Sequence, residues 1–456
     1  MSTIDKAVDQ KIKIMGHGLK IQPELKQQLL DEGYYHAPLT WIGDDITGPF
    51  SFNAYGHDES PFEVRRDDGQ LQVFENGKFF TDIAFYKRPQ FWKHQWAFKK
   101  NASGGATSSV FLDEGVSSVL TPCGQESFPE NENVTLELTG GKFPFISLAC
   151  YNGLVIWPSW GCTYTKTKNA CRFCCIPGNY DEDKVLYKQE GWFEGLGEAA
   201  KAAVEEIGPE IGKFSITVDA GTLPGPDKGA AVYIQVLEAI KAKLGYLPKA
   251  AYIRAVIEPP MHEKWLYALR DAGYTDIQMD VDIYDEAERR NLMPNPKGHR
   301  PIGDYIQAFK KAREIFPGEV ATQLIAGIQN EEKLLEGFEL FASVGVPTLL
   351  TPFLVGGLGR KLKRETGADV PSSDTMKRIY ERAAAILVKH NCPPAQFRGG
   401  VSSLAEFMGK RWKRADVVTH DFDKAKRARP SAPDQAKVRR TEEAPAFGAG
   451  AVPAFA

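Results

Sequence analysis

The sequence has no long apolar run. Nowhere in its 456 residues is there the stretch of about 20 apolar side chains that a helix needs to span a bilayer, so no membrane span is expected. The start, MSTIDKAVDQKIKI, lacks the basic, apolar and small-residue regions of a secretory signal, which makes the cytoplasm the expected compartment. An excess of charge of one sign is missing too. The 56 basic and 59 acidic residues leave a formal net charge of −3, too little to gather nucleic acid or an anionic membrane surface. Cysteine is scarce and uneven: of seven in all, an odd number, four fall between 162 and 175, too local for a disulfide framework in so large a chain. What is left, at 43% hydrophobic content, is a globular chain able to bury a large core in two or three domains, with a thiol cluster that suggests a metal.

Residues 1–150 carry little helical periodicity after the segment from Pro23 to Glu32. Two turn signals, Asp67-Asp68-Gly69 and Glu75-Asn76-Gly77, separate β-rich runs, so Phe62–Arg65 and Leu71–Phe74 are expected to pair as a hairpin, with Ile83–Tyr86 a further strand. This region is expected to be a mostly β cap or substrate-recognition domain. From 153 onward, short β-branched runs alternate with amphipathic stretches, the pattern of parallel βα units. The expected strands are 153–159, 213–219, 250–257, 275–283, 319–327 and 347–355; helices follow at 193–207, 228–243, 262–272, 302–315, 331–344 and 373–390. Six units suit a partial (β/α)6 TIM-like barrel over 151–360, followed by a helical extension over 361–423. The tail, 424–456, runs from KAKRARPSAPDQAKVRR to AFGAGAVPAFA and is expected to be disordered.

Within the strands, polar and apolar side chains alternate. Phe214, Ile216 and Val218 alternate with Ser215, Thr217 and Asp219; Ile277, Met279, Val281 and Ile283 alternate with Gln278, Asp280 and Asp282. In the third strand Tyr252, Arg254 and Glu258 lie opposite Ile253, Ala255 and Ile257. Helices cover the outside of a barrel, so the polar set must point inward. Such a network across three strands is expensive unless every member is paired, and its convergence is read as a site.

The segment LVIWPSWGCTYTKTKNACRFCCIPG places Cys162 just past the first strand, then eight residues, then Cys171-Arg172-Phe173-Cys174. A thiol at a strand's C-terminal end faces the barrel mouth. The Cys171/Cys174 pair can turn two sulfurs to one site, and Cys162 supplies a third, closing three corners of a cubane and leaving one iron open. Besides four inert buried cysteines, which would not need the polar loop TYTKTKNA between them, two rival readings are a structural zinc and a closed electron-transfer cluster, either of which would make the chain a non-catalytic metalloprotein. Each wants a fourth ligand, and Cys123, Cys150 and Cys392 offer no second paired motif. Whether adjacent Cys175 replaces Cys174 is left open.

Three cysteines after the first strand of a six-unit βα barrel, with an aromatic just before the last, resemble the radical S-adenosylmethionine superfamily, and within it the biotin synthase-like barrels. The Cx8CxxC spacing departs from the commonest one, which has three residues between the first two cysteines. The resemblance implies a [4Fe–4S] cluster on Cys162, Cys171 and Cys174 and S-adenosyl-L-methionine as cosubstrate. It places Asp219, Ala220, Gly221 and Thr222 at the methionine end, Asp280 or Asp282 at the ribose, and Gly327 and Ile328, within Gln323–Glu332, at the adenine. It further implies a 5′-deoxyadenosyl radical that takes hydrogen from a small-molecule substrate held by Tyr252, Arg254 and Glu258, and a low-potential electron donor of flavodoxin or ferredoxin type. Arg254 would suit a carboxylate or phosphate, unless it and Glu258 form a structural ion pair. Phe397–Ser403 is expected to be a loop, in a position to return across the mouth. Trp92, Trp96 and Phe98 are expected in the core of the N-terminal region or in a cap.

Overall fold

In the computed structural model, residues 146–408 are described except for 150–152, 160, 167–168, 175–184, 189, 354–357, 398–399 and 402–403. Before them the described residues are 20–22, 24–25, 28, 34–39, 61–82, 84–87, 97–100, 106–109 and 142–144. The tail, Trp92, Trp96, Cys123, Cys150 and Cys175 lie outside the described residues.

The N-terminal hairpin forms where its turn chemistry puts it. Phe62–Asp67 pairs antiparallel with Gln70–Glu75, which pairs in turn with Lys78–Asp82. Asp68 and Gly69 (φ 46° and 80°), like Asn76 and Gly77 (φ 48° and 80°), are left-handed at both central positions, the primed geometry that matches strand twist. Phe62, Val64 and Val73 fill its inner face.

The larger unit is a curled sheet of six parallel strands in chain order, a half-barrel. Numbering its own elements, the strands are β1 (Gly153–Ile156), β2 (Ser215–Asp219), β3 (Tyr252–Val256), β4 (Asp276–Gln278), β5 (Val320–Ala326) and β6 (Thr348–Pro352). Ser147–Ala149 adds an antiparallel strand on the outer edge of β1. The helices are α1 (Trp192–Ile207), α2 (Ala230–Leu244), α3 (Lys264–Ala272), α4 (Glu286–Leu292), α5 (Ile302–Ile315), α6 (Glu331–Ser343), α7 (Leu358–Thr366) and α8 (Ser373–Lys389). Two of them, α4 and α7, are additions to the plain alternation.

Which face of each strand looks outward is fixed by burial. Ile216, Val218, Ile253, Ala255, Ile277 and Met279 share one apolar core with Leu196, Tyr233, Val236, Leu269, Tyr305 and Phe309 of the helices. A fully buried aliphatic or aromatic side chain is worth about 1.5–3 kcal/mol, so a one-residue slip would expose that whole set. The opposite face carries Ser215, Thr217, Arg254, Asp276 and Gln278, all buried. Register aligns them across the lumen: Thr217 lies beside Arg254, and Arg254 beside Asp276.

Helix starts follow local chemistry. Asp285 caps α4 through the Ala287 and Glu288 amides, and Ser372 caps α8. Asn330 caps α6 by accepting from the amides of Glu332 and Lys333 at 2.9 and 3.2 Å. Among the described residues no helix is long and apolar enough to cross a membrane.

Candidate active site

The chain leaves β1 through Trp157 and Ser159 and turns at Gly161 into Cys162. A short helical turn, Thr163–Lys166, follows and is tied to the end of β2 by the Thr163 amide donating to the Thr222 carbonyl at 2.8 Å. Gly221 is the close-approach point. A Cβ there would lie 2.6 Å from the Cys162 Cβ and 2.8 Å from the Gly161 carbonyl oxygen, so this position takes no side chain while the loop keeps its place. The second half of the loop is held from the other side. The Arg172 amide donates to Leu292 at the end of α4 (2.8 Å), the Leu358 amide at the start of α7 donates to the Cys174 carbonyl (2.9 Å), and the Cys174 amide closes the turn onto Cys171 (3.0 Å). Cys171 and Phe173 pack on a separate apolar cluster of Ile283, Leu292, Met293, Ile328, Phe353 and Leu362. The two added helices therefore carry the thiol loop.

Among the described residues no three His, Cys, Asp or Glu side chains stand in the tight group that one metal ion requires. The chemistry of the thiols nonetheless suits an iron–sulfur cluster. Burial pushes Cys171 up to about 12 and raises Cys162, while the Lys297 ammonium pulls both the other way. Buried thiols of this kind become thiolates when positive charge is brought to them, which is what cluster iron supplies.

Charged groups at the mouth occur as pairs. Glu258, two residues beyond β3, accepts from Tyr164 Oη and Thr222 Oγ1, both at 3.0 Å, and meets Lys228 Nζ at 3.2 Å. Burial and the neighbouring Glu258 push the Tyr164 phenol well above its usual range, so it stays a donor. Asp282 meets Lys297 Nζ at 2.8 Å. Its backbone is left-handed (φ 62°), a conformation uncommon outside glycine, and is held by Asp282 N to the Gln323 carbonyl (2.9 Å) and Ile325 N to the Asp282 carbonyl (2.8 Å). Burial opposes the charge on Lys297, but the Asp282 carboxylate overrides it and keeps the ammonium firmly protonated. The lysine rides on the loop 293–300, which Arg289 staples by donating to the Arg300 carbonyl at 2.6 Å. Gly298 is pressed so closely on Met293 and the Arg289 carbonyl that a Cβ would sit 2.7 Å from backbone oxygen.

Asp280 lies deeper in the lumen. Burial first, and then Asp282, raise its carboxyl to about 7. Gln278 Nε2 reaches its two oxygens at 3.0 and 3.2 Å.

Two of the expected substrate residues are elsewhere. Tyr252 begins β3 and Arg254 stands at its middle, with its guanidinium turned to the floor of the barrel, away from the thiols. The Arg254 guanidinium is 2.7 Å from Glu319, 3.7 Å from Asp276 and 2.6 Å from the Gln396 carbonyl, with the Tyr252 ring 4.8 Å beneath it. With its charge neutralised inside the barrel floor, Arg254 is not placed to receive a substrate anion. Nor does it pair with Glu258, whose partners are at the mouth. The segment after α8 also goes to the floor: Gln396–Phe397 pairs with Gly400–Val401, and the Gln396 amide donates to Glu319 at 3.1 Å. Arg398, Gly399, Ser402 and Ser403 lie outside the described residues. The run after β5 has a second employment, since Gln329 accepts from the Tyr284 amide (2.8 Å), Asn330 caps α6, and Glu331 and Glu332 bind Arg378 and Arg382. Gly327 (φ 97°) is pressed on Pro371, and Ile328 joins the cluster beneath Phe173. Sequence reasoning missed Tyr164, Lys228 and Lys297. The last sits in Asn295-Pro296-Lys297-Gly298, a turn signal that carries no information about direction.

Fold and site together define an open βα barrel with three thiols and two buried lysine–carboxylate pairs at its mouth. No protein-family model matches the chain, and no curated protein does. Solved structures similar to it include the FeFe-hydrogenase maturase HydG from Carboxydothermus hydrogenoformans, at 17% identity and a TM-score of 0.38 over 52% of this chain and 51% of that one. Another is coproporphyrinogen III oxidase (HemN) from Escherichia coli, described as a radical SAM enzyme, at 16% identity and 0.35 over 48% and 50%. A third is methylornithine synthase (PylB), at 14% and 0.36 over 59% and 80%. The chain spans about half the length of the first two. The family that the cysteine run resembles is thus among these partial likenesses.

Proposed function

We propose that this chain is a radical S-adenosylmethionine enzyme acting on a small molecule. The observation that carries the reading is the placement of the thiol loop: Cys162, Cys171 and Cys174 at the C-terminal end of β1, with Gly221 of β2's end pressed directly on Cys162. Those three cysteines would hold a [4Fe–4S] cluster with one iron open to S-adenosylmethionine. When bound, the pair supplies reductive cleavage of the cosubstrate and a 5′-deoxyadenosyl radical that takes hydrogen from the substrate.

The chain's own residues supply position and seclusion. Glu258, fixed by Tyr164, Thr222 and Lys228, and Asp282, fixed by Lys297, present preorganised polar groups beside the thiols. The 219–222 turn would meet the methionine end of the cosubstrate through its backbone, and Ile328 with Phe173 would give the adenine an apolar surface. The Arg254–Glu319 pair and Gln396 seal the floor against water.

The test is anaerobic reconstitution with iron and sulfide, followed by S-adenosylmethionine and dithionite. Formation of 5′-deoxyadenosine supports the reading. A chain that takes up one zinc, or holds a cluster but forms no 5′-deoxyadenosine, is instead a non-catalytic metalloprotein.

A further inference from the structure

Three cations of the lumen and mouth are committed to carboxylates, and Arg300 donates to the Pro259 carbonyl at 2.6 Å. Lys228 is 3.2 Å from Glu258, Lys297 is 2.8 Å from Asp282, and Arg254 is 2.7 Å from Glu319. Asp280 has no cation within 4 Å among the described residues, and Lys297 acts on it only from further off. Its one polar partner there is the Gln278 amide nitrogen, shared between both its oxygens. A carboxylate has about four acceptor positions, so most of those on Asp280 are unused.

A second, independent observation comes from the neighbouring strand. Thr217 is 3% exposed and faces the lumen from the middle of β2, and its Oγ1 has no hydrogen-bond partner among the described residues. Leaving a buried hydroxyl unmade costs about 1–3 kcal/mol, so such a group calls for a bound partner. Beside it the wall is apolar: Val155, in register with Thr217, forms with Trp157 a small cluster separate from the main core. The chamber thus offers a carboxyl group without an ion pair just beyond β4, an unmade hydroxyl on β2 and an apolar strip at β1 and its end.

We propose that this chamber selects a small substrate bearing a protonated amine, held by Asp280, with a second polar group of the same molecule (amine, hydroxyl or carbonyl) bonded to Thr217 and its carbon chain along Val155 and Trp157. This rests on the reading of the lumen as a substrate chamber. It divides the two aspartates of β4's end, leaving Asp282 with its lysine to the cosubstrate side and giving Asp280 to the substrate. A carboxylate facing an ammonium ion inside the lumen is a charge-assisted pair, stronger than a neutral hydrogen bond and selective against an uncharged analogue.

The experiment is a titration of the full chain, both as purified and after anaerobic reconstitution, with 1,4-diaminobutane and with 1,4-butanediol as its uncharged counterpart. Binding is read by calorimetry and by the shift in melting temperature. The diamine is expected to bind and stabilise, and the diol not. Asp280→Asn is expected to weaken the diamine by at least about tenfold, Thr217→Val by about threefold, and the exposed control Asp271→Asn not at all. The proposal is overturned if the diamine fails to bind at about 10 mM, if the diol binds equally well, or if both Asp280→Asn and Thr217→Val leave binding unchanged. Thr217→Val keeps the test alive should Asp280→Asn not fold. Because amine binding needs neither cluster nor S-adenosylmethionine, its absence sinks this inference alone, and absence of 5′-deoxyadenosine sinks only the reading of the function.

Discussion

Gly221→Ala adds one methyl carbon where the end of β2 touches the thiol loop. That carbon would sit 2.6 Å from the Cys162 Cβ, 2.9 Å from its Cα and 2.8 Å from the Gly161 oxygen. Carbon atoms pack at about 3.5–4.0 Å, so something must recede by roughly 1 Å. All three contacts are to backbone or to the Cβ fixed to it, and no rotamer change relieves them. Overpacking of this kind costs about 1–3 kcal/mol, drawn mainly from the loop because the main core of the barrel is elsewhere. A displacement of about 1 Å at a ligand or catalytic group costs on the order of 100-fold in rate. The expected outcome is a folded chain by circular dichroism, with iron uptake sharply reduced and 5′-deoxyadenosine formation down about 100-fold. Gly303→Ala is the control, since a Cβ there meets nothing within 4 Å. Iron content and rate equal to those of the unaltered chain in Gly221→Ala would refute the packing argument.

Three further outcomes follow from the same structure. Glu319→Ala leaves Arg254 buried with Asp276, at 3.7 Å, as its remaining carboxylate among the described residues, and is expected to cost about 3–5 kcal/mol in chemical denaturation; a loss under about 1 kcal/mol would mean that the floor is wet. The carboxyl of Asp280 is raised from 3.8 to about 7, so the folded state holds this proton more tightly than the unfolded one. Its contribution to stability is full below about pH 4 and lost as pH rises through about 7, and Asp280→Asn should flatten that part of the profile. An unchanged slope between pH 4 and 7 in that variant would contradict the assignment. Cys392, buried beneath α8 and pushed up to about 12 by burial, is expected to be replaceable by Ala with no change in iron content.

The half-barrel was legible because alternation is a local property. Ile216 and Val218 had to meet helices, which left Thr217 and Asp219 facing in, and no distant contact was needed to see it. Height along a strand is another matter. Arg254 and Glu258 share a face of β3, yet one lies in the floor and the other at the mouth, and only the positions of Glu319 and Gln396, 65 and 142 residues further on, separate them. The thiols were legible from their spacing, but their support was not. Helices α4 and α7 hold the loop through backbone hydrogen bonds at Leu292 and Leu358 and through Arg172, which reaches Asn291 and Glu365, partners more than a hundred residues away that no local pattern marks. Lys297 was hidden for a similar reason: its direction is set by Arg289 and by the close packing of Gly298, both read only in three dimensions. The Gln329–Glu332 run, whose order suggested a nucleotide contact, is occupied with starting α6 and binding α8.

The measurement that tests the central claim most directly compares the unaltered chain with Cys162→Ala/Cys171→Ala/Cys174→Ala after identical anaerobic reconstitution. The account predicts about four irons per chain, absorbance near about 400 nm and dithionite-dependent 5′-deoxyadenosine from S-adenosylmethionine in the first, and none of these in the second. Equal iron and equal product in the two, or neither in the unaltered chain, would contradict it.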